Sequence, residues 1–188
     1  MEEKFKILAF AGSLRKGSYN KALVRAAVEL APENVTIEIF DLEGIPPFNQ
    51  DNERNPPPVV REFKEKIKKA DGLLIASPEY NYSVPGVLKN ALDWASRPLE
   101  DDVLISKIVA IMSASTGRFG GARGQYILRQ SFVTQNMRAV NYPEVMLASA
   151  AENVDANGNL TNQQTKLLIR QLIDALVALI NQFQCKSK

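Results

Sequence analysis

The fold this sequence predicts is an open α/β sheet of five parallel strands with helices on both faces. Three observations carry that expectation. The runs "FKILAFAG", "DGLLIASP" and "KIVAIMSAS" are continuously apolar, as strands covered on both faces are. Stretches with helical spacing separate them. The strand–helix alternation recurs five times along the chain, the pattern of a doubly wound sheet with predicted strand order 2-1-3-4-5.

The elements follow in order. Phe5 to Gly12 is the first buried strand and ends in glycine. Asn20 to Ala31 is helical by spacing. Val35 to Leu42, "VTIEIFDL", alternates apolar and polar residues and reads as a strand nearer the sheet edge. Ile45 to Pro58 is loop, because its prolines lack the donors a sheet needs. Val59 to Ala70 is an amphipathic helix, and Asp71 to Pro78 the second buried strand. Pro85 starts a helix that runs to Ser96. Lys107 to Ser115 is the third buried strand. Gly120 to Asn136 reads as a helix with Gly124 a weak point inside it. Arg138 to Ser149 holds a fifth strand interrupted by Pro143, and Glu152 to Leu160 is turn-rich. Thr161 to Phe183 is a long helix with Thr161 as candidate cap. No repeat, low-complexity stretch or linker divides residues 1–188, which read as a single domain.

Composition narrows the function. The net charge of +2 gives no general electrostatic reason to expect nucleic acid or a membrane surface as partner. No apolar run approaches a membrane span, and the acidic start "MEEKFKILAF" is unlike a signal peptide. One cysteine, Cys185, cannot form an internal disulfide, which fits a reducing cytoplasm. With no histidine, Ser-His-Asp and Cys-His catalysis and His-based metal sites are excluded, so no metal is expected. An enzyme built from this chain would use carboxylates, Lys or Tyr, or let a bound cofactor carry the chemistry.

Ligands in such sheets bind at the carboxyl ends of the strands, beside the switch point between strands 1 and 3. Three loops lie there. The first, "GSLRKGSYN", leaves a buried strand and opens a helix. Backbone N–H groups and the helix dipole favour an anion there. Ser13, Ser18, Asn20 and the guanidinium of Arg15 add side-chain donors. It is neither a GxGxxG fingerprint nor a P-loop. Two readings fit: a phosphate cradle, or a polar turn in which Ser18 caps the helix. The second loop, "SPEYNYSVPG", is aromatic; Tyr80 and Tyr82 suit a wall for a flat ring, or a rigid structural loop at a subunit contact. The third, "SASTGRFGGARG", places Ser115, Thr116 and Gly117 where small residues let backbone N–H groups approach a ligand, or simply form a flexible turn.

Together the loops resemble those of the NAD(P)H-dependent FMN reductase family, the flavodoxin-like group that includes quinone, azo and chromate reductases. "GSLRKGSYN" matches that family's phosphate loop, and "SPEYNYSVPGVLKNALDW" its second signature. "STGRFGGARGQYILRQ" fits the third segment less rigidly. The likeness runs from about Lys6 to the C-terminal helix. It implies a flavodoxin-like fold and an FMN site at Ser13, Arg15, Ser18, Tyr19, Asn20, Pro78, Glu79, Tyr80, Asn81, Ser115, Thr116 and Gly117. It also implies NADPH or NADH as co-substrate, ping-pong hydride transfer, and small acceptors such as quinones, free flavin, azo compounds or chromate. No catalytic side chain is expected, because the flavin carries the chemistry. Glu79 reads as structural or exposed rather than as an acid or base, and Trp94 as packing. No ribose-reading acid or arginine is identifiable, so the two nucleotides are not separated.

The rival readings are a flavodoxin-type electron carrier and a non-catalytic FMN-binding module. Carriers are usually strongly acidic, whereas this chain has 21 acidic against 23 basic residues. A receiver-type signalling domain would need an acidic pocket that "AFAGS" does not supply. A low-molecular-weight phosphatase would need a cysteine in the first loop. A homodimer or homotetramer is also expected, because a second copy would cover the exposed edge of a flavin. Its surfaces would be the helices beginning near Pro85 and Gly121, with Tyr82, Arg123, Tyr126 and Glu144 as contacts.

Overall fold

The structure is a computed structural model and describes residues 4–184; Cys185 lies outside them. Strands β1 (Phe5–Ala11), β2 (Val35–Phe40), β3 (Gly72–Ala76) and β4 (Ile108–Ala114) are joined by the short β5 (Arg138–Ala139) and β6 (Val145–Leu147). The order is β2-β1-β3-β4-β5, with β6 also on β4, and every pairing is parallel. The sheet is therefore flavodoxin-like with the expected order. The fifth strand is present as two short pieces, because Pro143 between them has no donor to give the ladder.

The helices are α1 (Tyr19–Glu29), α2 (Pro58–Lys69), α3 (Gly86–Ala95), α4 (Ala122–Gln130) and α5 (Gln163–Gln184). Successive β1 side chains feed opposite cores, as a strand covered on both faces requires. Ile7 and Ala9 pack with Leu23, Ala27, Leu172 and Leu176 of α1 and α5. Leu8 and Phe10 pack with Phe63, Ile67, Leu88 and Leu128 of α2, α3 and α4. Register then aligns the strand ends: Ala11 lies beside Ala76, and Ala76 beside Met112. The loops that leave β1 and β3 consequently start at one level, and β4 runs two residues further, to Ala114, before the third loop begins.

Two boundaries differ from expectation. The helix expected over 120–136 is confined to Ala122–Gln130. Gly120 and Gly121 have φ of 59° and 89°, outside the helical region, and Asn136 is also left-handed at 50°. The long last helix is capped by Asn162 rather than Thr161: the Asn162 carboxamide oxygen accepts from the Thr165 N–H at 2.8 Å.

Candidate functional site

The first loop spans residues 12–18. Gly12 N–H is the last to join the sheet, donating to Ala76 O at 2.8 Å, and Ser18 N–H closes the loop onto Arg15 O at 3.2 Å. Between them, the N–H groups of residues 13–17 make no hydrogen bond to the described chain. The Ser13 side chain is buried at the loop's root and its hydroxyl has no described partner. Arg15 donates to Gly17 O at 3.1 Å and lies 5.8 Å from the Tyr19 ring centroid, with no carboxylate paired to it among the described residues. Free N–H groups, a free hydroxyl and an unpaired guanidinium at the start of an eleven-residue helix form an anion cradle.

Two residues of this loop are committed elsewhere. Ser18 Oγ accepts from Lys21 N–H at 3.4 Å, so it caps α1. Asn20 is 3 % exposed, and its amide both donates to Ala114 O and accepts from Ala114 N–H, each at 3.0 Å. It pins α1 to β4, which sets the distance between the first and third loops. The sequence suggested a ligand for phosphate; the geometry makes Asn20 a spacer that holds the cradle in place.

The second loop closes in a two-residue turn. Tyr80 N–H donates to Ser83 O at 3.1 Å and Ser83 N–H to Tyr80 O at 2.9 Å. The central residues Asn81 and Tyr82 have φ of 49° and 65°, the signature of a type I′ turn. Asparagine tolerates that region, whereas a tyrosine there is strained. Pro78 is buried beneath the turn, while Tyr80 and Tyr82 are exposed. The aromatic wall read from the sequence is therefore a rigid turn that presents two rings outward.

The third loop is fastened to the second. Glu79 pairs with Arg123 at 2.6 Å and accepts from the Gly124 N–H at 3.1 Å. The Arg123 guanidinium then lies 3.7 Å from the Tyr82 ring centroid and 4.8 Å from that of Phe119. Gly124 is no weak point: a Cβ there would press on Glu79 at 3.2 Å, so glycine lets the second loop approach α4. Beneath, Ser113 donates to Gly120 O at 2.6 Å, and Gln125 donates to Ser113 Oγ at 2.8 Å and Val145 O at 2.9 Å. Ser115 Oγ accepts from Gly117 N–H at 3.1 Å, and Thr116 stands exposed between them. Sequence reasoning missed Ser113 and Gln125, which look like ordinary strand and helix residues. It placed Arg123 at a subunit contact, whereas in the described chain the side chain is engaged internally.

The arrangement is thus a candidate anion cradle beside a rigid slot edged by the second and third loops, at the carboxyl ends of adjacent strands. Comparison with known proteins identifies the family. The family model for NADPH-dependent FMN reductases matches residues 5–152. An NAD(P)H-dependent FMN reductase of Pseudomonas aeruginosa is 49 % identical over 177 residues, covering 94 % of this chain and 95 % of that protein. An NAD(P)H:quinone oxidoreductase of Solanum tuberosum is 46 % identical, covering 93 % and 92 %. Among solved structures, the NAD(P)H:acceptor flavoenzyme FerB of Paracoccus denitrificans aligns with a TM-score of 0.86 at 30 % identity, over 95 % of this chain and 98 % of that one.

Proposed function

On the premise that this chain belongs to the NADPH-dependent FMN reductase family, we propose that the cradle and slot hold FMN and that small electron acceptors are reduced there. The chain is an FMN-dependent NAD(P)H oxidoreductase, and quinones are the acceptors in the names of several relatives. The observation that supports the site assignment most is the set of free N–H groups at residues 13–17 beside unpaired Arg15. A terminal phosphate would satisfy both. Ser13 and Arg15 would bind the phosphate, with Tyr19 beside them, while Ser18 and Asn20 act by fixing α1. Pro78 to Asn81 would edge the ring, and Ser115 to Gly117 would meet its polar rim, where Thr116 N–H is the backbone donor not already bonded within the described chain.

When bound, FMN supplies the two-electron chemistry, accepting hydride from NAD(P)H and passing electrons on to the acceptor. The chain's own residues position and shield. Arg15 holds charge at the phosphate and takes no part in proton transfer. Glu79 is tied to Arg123 and Gly124, so it holds the two ring-side loops together instead of moving protons. Gln125 and Ser113 keep the third loop's backbone aimed, so that no reorganisation is needed as charge develops.

Donor and acceptor would occupy the one site edged by the second and third loops in turn, so initial rates over a grid of NAD(P)H and quinone should give parallel double-reciprocal lines. Chromatography of the flavin released from purified protein should return FMN. Recovery of FAD alone, or intersecting lines, would refute this reading. A homodimer or homotetramer is proposed through the surfaces that carry exposed Tyr82 and Tyr126, with Glu144. Light scattering across a dilution series checks it, and a fully active monomer would sink it. A cytoplasmic location is proposed from the lone cysteine. No described helix is long and apolar enough to cross a membrane.

A further inference from the structure

The second and third loops, residues 77–86 and 115–124, hold one carboxylate, Glu79, and two guanidiniums, Arg118 and Arg123. Glu79 pairs with Arg123 at 2.6 Å, which leaves Arg118 with no acidic partner among the described residues. We propose that Arg118 sets acceptor specificity: the slot prefers quinones that carry an anionic group, such as the enolate of a 2-hydroxyquinone, over neutral quinones of the same shape. The proposal rests on the FMN reading of the slot.

Arg118 stands on a fixed corner. It is the second residue of a turn closed by Gly120 N–H donating to Gly117 O at 3.4 Å. One end of the turn is held by Ser149 N–H, which donates to Gly117 O at 3.4 Å, and by the Gly117 N–H bond to Ser115 Oγ at 3.1 Å. The other end is held by the buried Ser113 hydroxyl, which donates to Gly120 O at 2.6 Å. The backbone beneath Arg118 is therefore set in advance, and the exposed side chain is the part left to adapt.

A stack of alternating rings and cations runs from the second loop out to it. The Arg123 guanidinium lies 3.7 Å from the Tyr82 ring centroid and 4.8 Å from that of Phe119, and Arg118 lies 5.4 Å from Phe119 on its own account. The two cations differ in setting. Arg123 is held by two rings and a carboxylate, so its charge is answered within the protein. Arg118 meets one ring, near the outer limit at which a ring holds a cation. Its guanidinium makes no hydrogen bond to the described chain, which leaves the planar fork free for an oxyanion. Phe119 is 53 % exposed and offers apolar surface beside that fork. A flat molecule with negative charge at its edge fits both.

The stoichiometry of the reaction is unchanged. One NAD(P)H and one proton are consumed per quinone, and NAD(P)⁺ and the hydroquinone leave. Arg118 supplies charge and position and exchanges no proton.

The test uses the FMN-loaded protein with 2-hydroxy-1,4-naphthoquinone, ionised at neutral pH, and its neutral methyl ether. Each acceptor is compared with itself across proteins, so differences in reduction potential cancel. In Arg118→Met, kcat/KM for the anion should fall about fivefold through KM, while the ether stays within about 1.5-fold. Arg118→Lys keeps the charge and should recover most of the loss. Raising salt from about 0.02 to about 0.5 M should lower kcat/KM for the anion in the unaltered protein and much less in Arg118→Met. Equal losses for both acceptors, or none for either, would overturn the proposal. So would weaker FMN binding by Arg118→Met apoprotein, which would put Arg118 on the flavin, or a raised KM for NAD(P)H, which would put it on the nucleotide. A changed oligomeric state in light scattering would also overturn it, by placing Arg118 between copies of the chain. Failure of the FMN reading would overturn both and shows separately, as protein that takes up no flavin and reduces neither quinone.

Discussion

The first and third loops stand at the carboxyl edge of one sheet, yet they are built on opposite plans. The first is open: residues 13–17 leave their N–H groups free, and Arg15 is fastened only by a bond to its own loop. The third is locked by buried bonds from Ser113 and Gln125, and by the Glu79–Arg123 pair that ties it to the second loop. The difference matches the two ends of the proposed ligand. A phosphate is met by long-range charge and adaptable donors, whereas a flat ring needs a slot whose geometry is set in advance. Stability should therefore reside in the third loop and affinity in the first.

The largest break in that contrast should come from Gly120→Ala. Gly120 has φ 59°, and a Cβ would meet the Met146 backbone at 2.7 Å, where neither atom is a flexible chain end. A cost of about 3 kcal/mol, or a fall of about 9 °C in Tm, is expected by calorimetry. Next is Arg15→Ala, which should weaken FMN binding to apoprotein by about 1.5–3 kcal/mol and leave Tm nearly unchanged. Unchanged affinity would show that Arg15 is not at the phosphate.

Glu79→Ala should cost about 1–2 kcal/mol of stability, since Arg123 is partly exposed and its pairing is screened. Arg123→Ala should cost about the same, and the double variant little more, because one coupling is being removed twice. Additive losses would mean that the two loops are held independently. Ser18→Ala should cost about 0.5 kcal/mol, as its capping bond is long at 3.4 Å. The smallest effect concerns Asp155, whose pKa, lowered by the Asn159 N–H bonded to its carboxylate, gives stability that is full above its unfolded value and lost as pH falls through the folded one, below the ordinary 3.8. Asp155→Asn should therefore flatten the acid limb of the unfolding curve.

What was legible in the sequence follows from range. The continuous runs at 5–12, 71–78 and 107–115 reflect burial on both faces, which each strand records by itself, so sheet and order could be read. The free donors of the first loop were legible for the same reason: Ser13, Arg15 and the helix start are adjacent in sequence. Asn20 was misread because its partner Ala114 lies 94 positions away. The same distance problem hid Ser113, Gln125 and the coupling of Glu79 to Arg123. Gly124 looked like a helix defect because the side chain it accommodates comes from another loop. Local pattern carried the first loop, and long-range packing carried the second and third.

The pinning of the 45–58 segment to α3 has an optical consequence. Trp94, the one tryptophan of the sequence, is 1 % exposed. Its indole N–H donates to Pro46 O at 2.8 Å, and its ring meets Phe48 edge-on at 5.0 Å. A single indole in one dry, fixed setting emits as one species, at the blue end of its range, and α3, the helix that carries it, begins where the second loop ends. Flavin absorbs in that emission band, so titrating apoprotein with FMN should dim the emission in proportion to occupancy. The chain thus contains its own label-free gauge of cofactor loading, and unfolding reports on the same wavelength as a red shift.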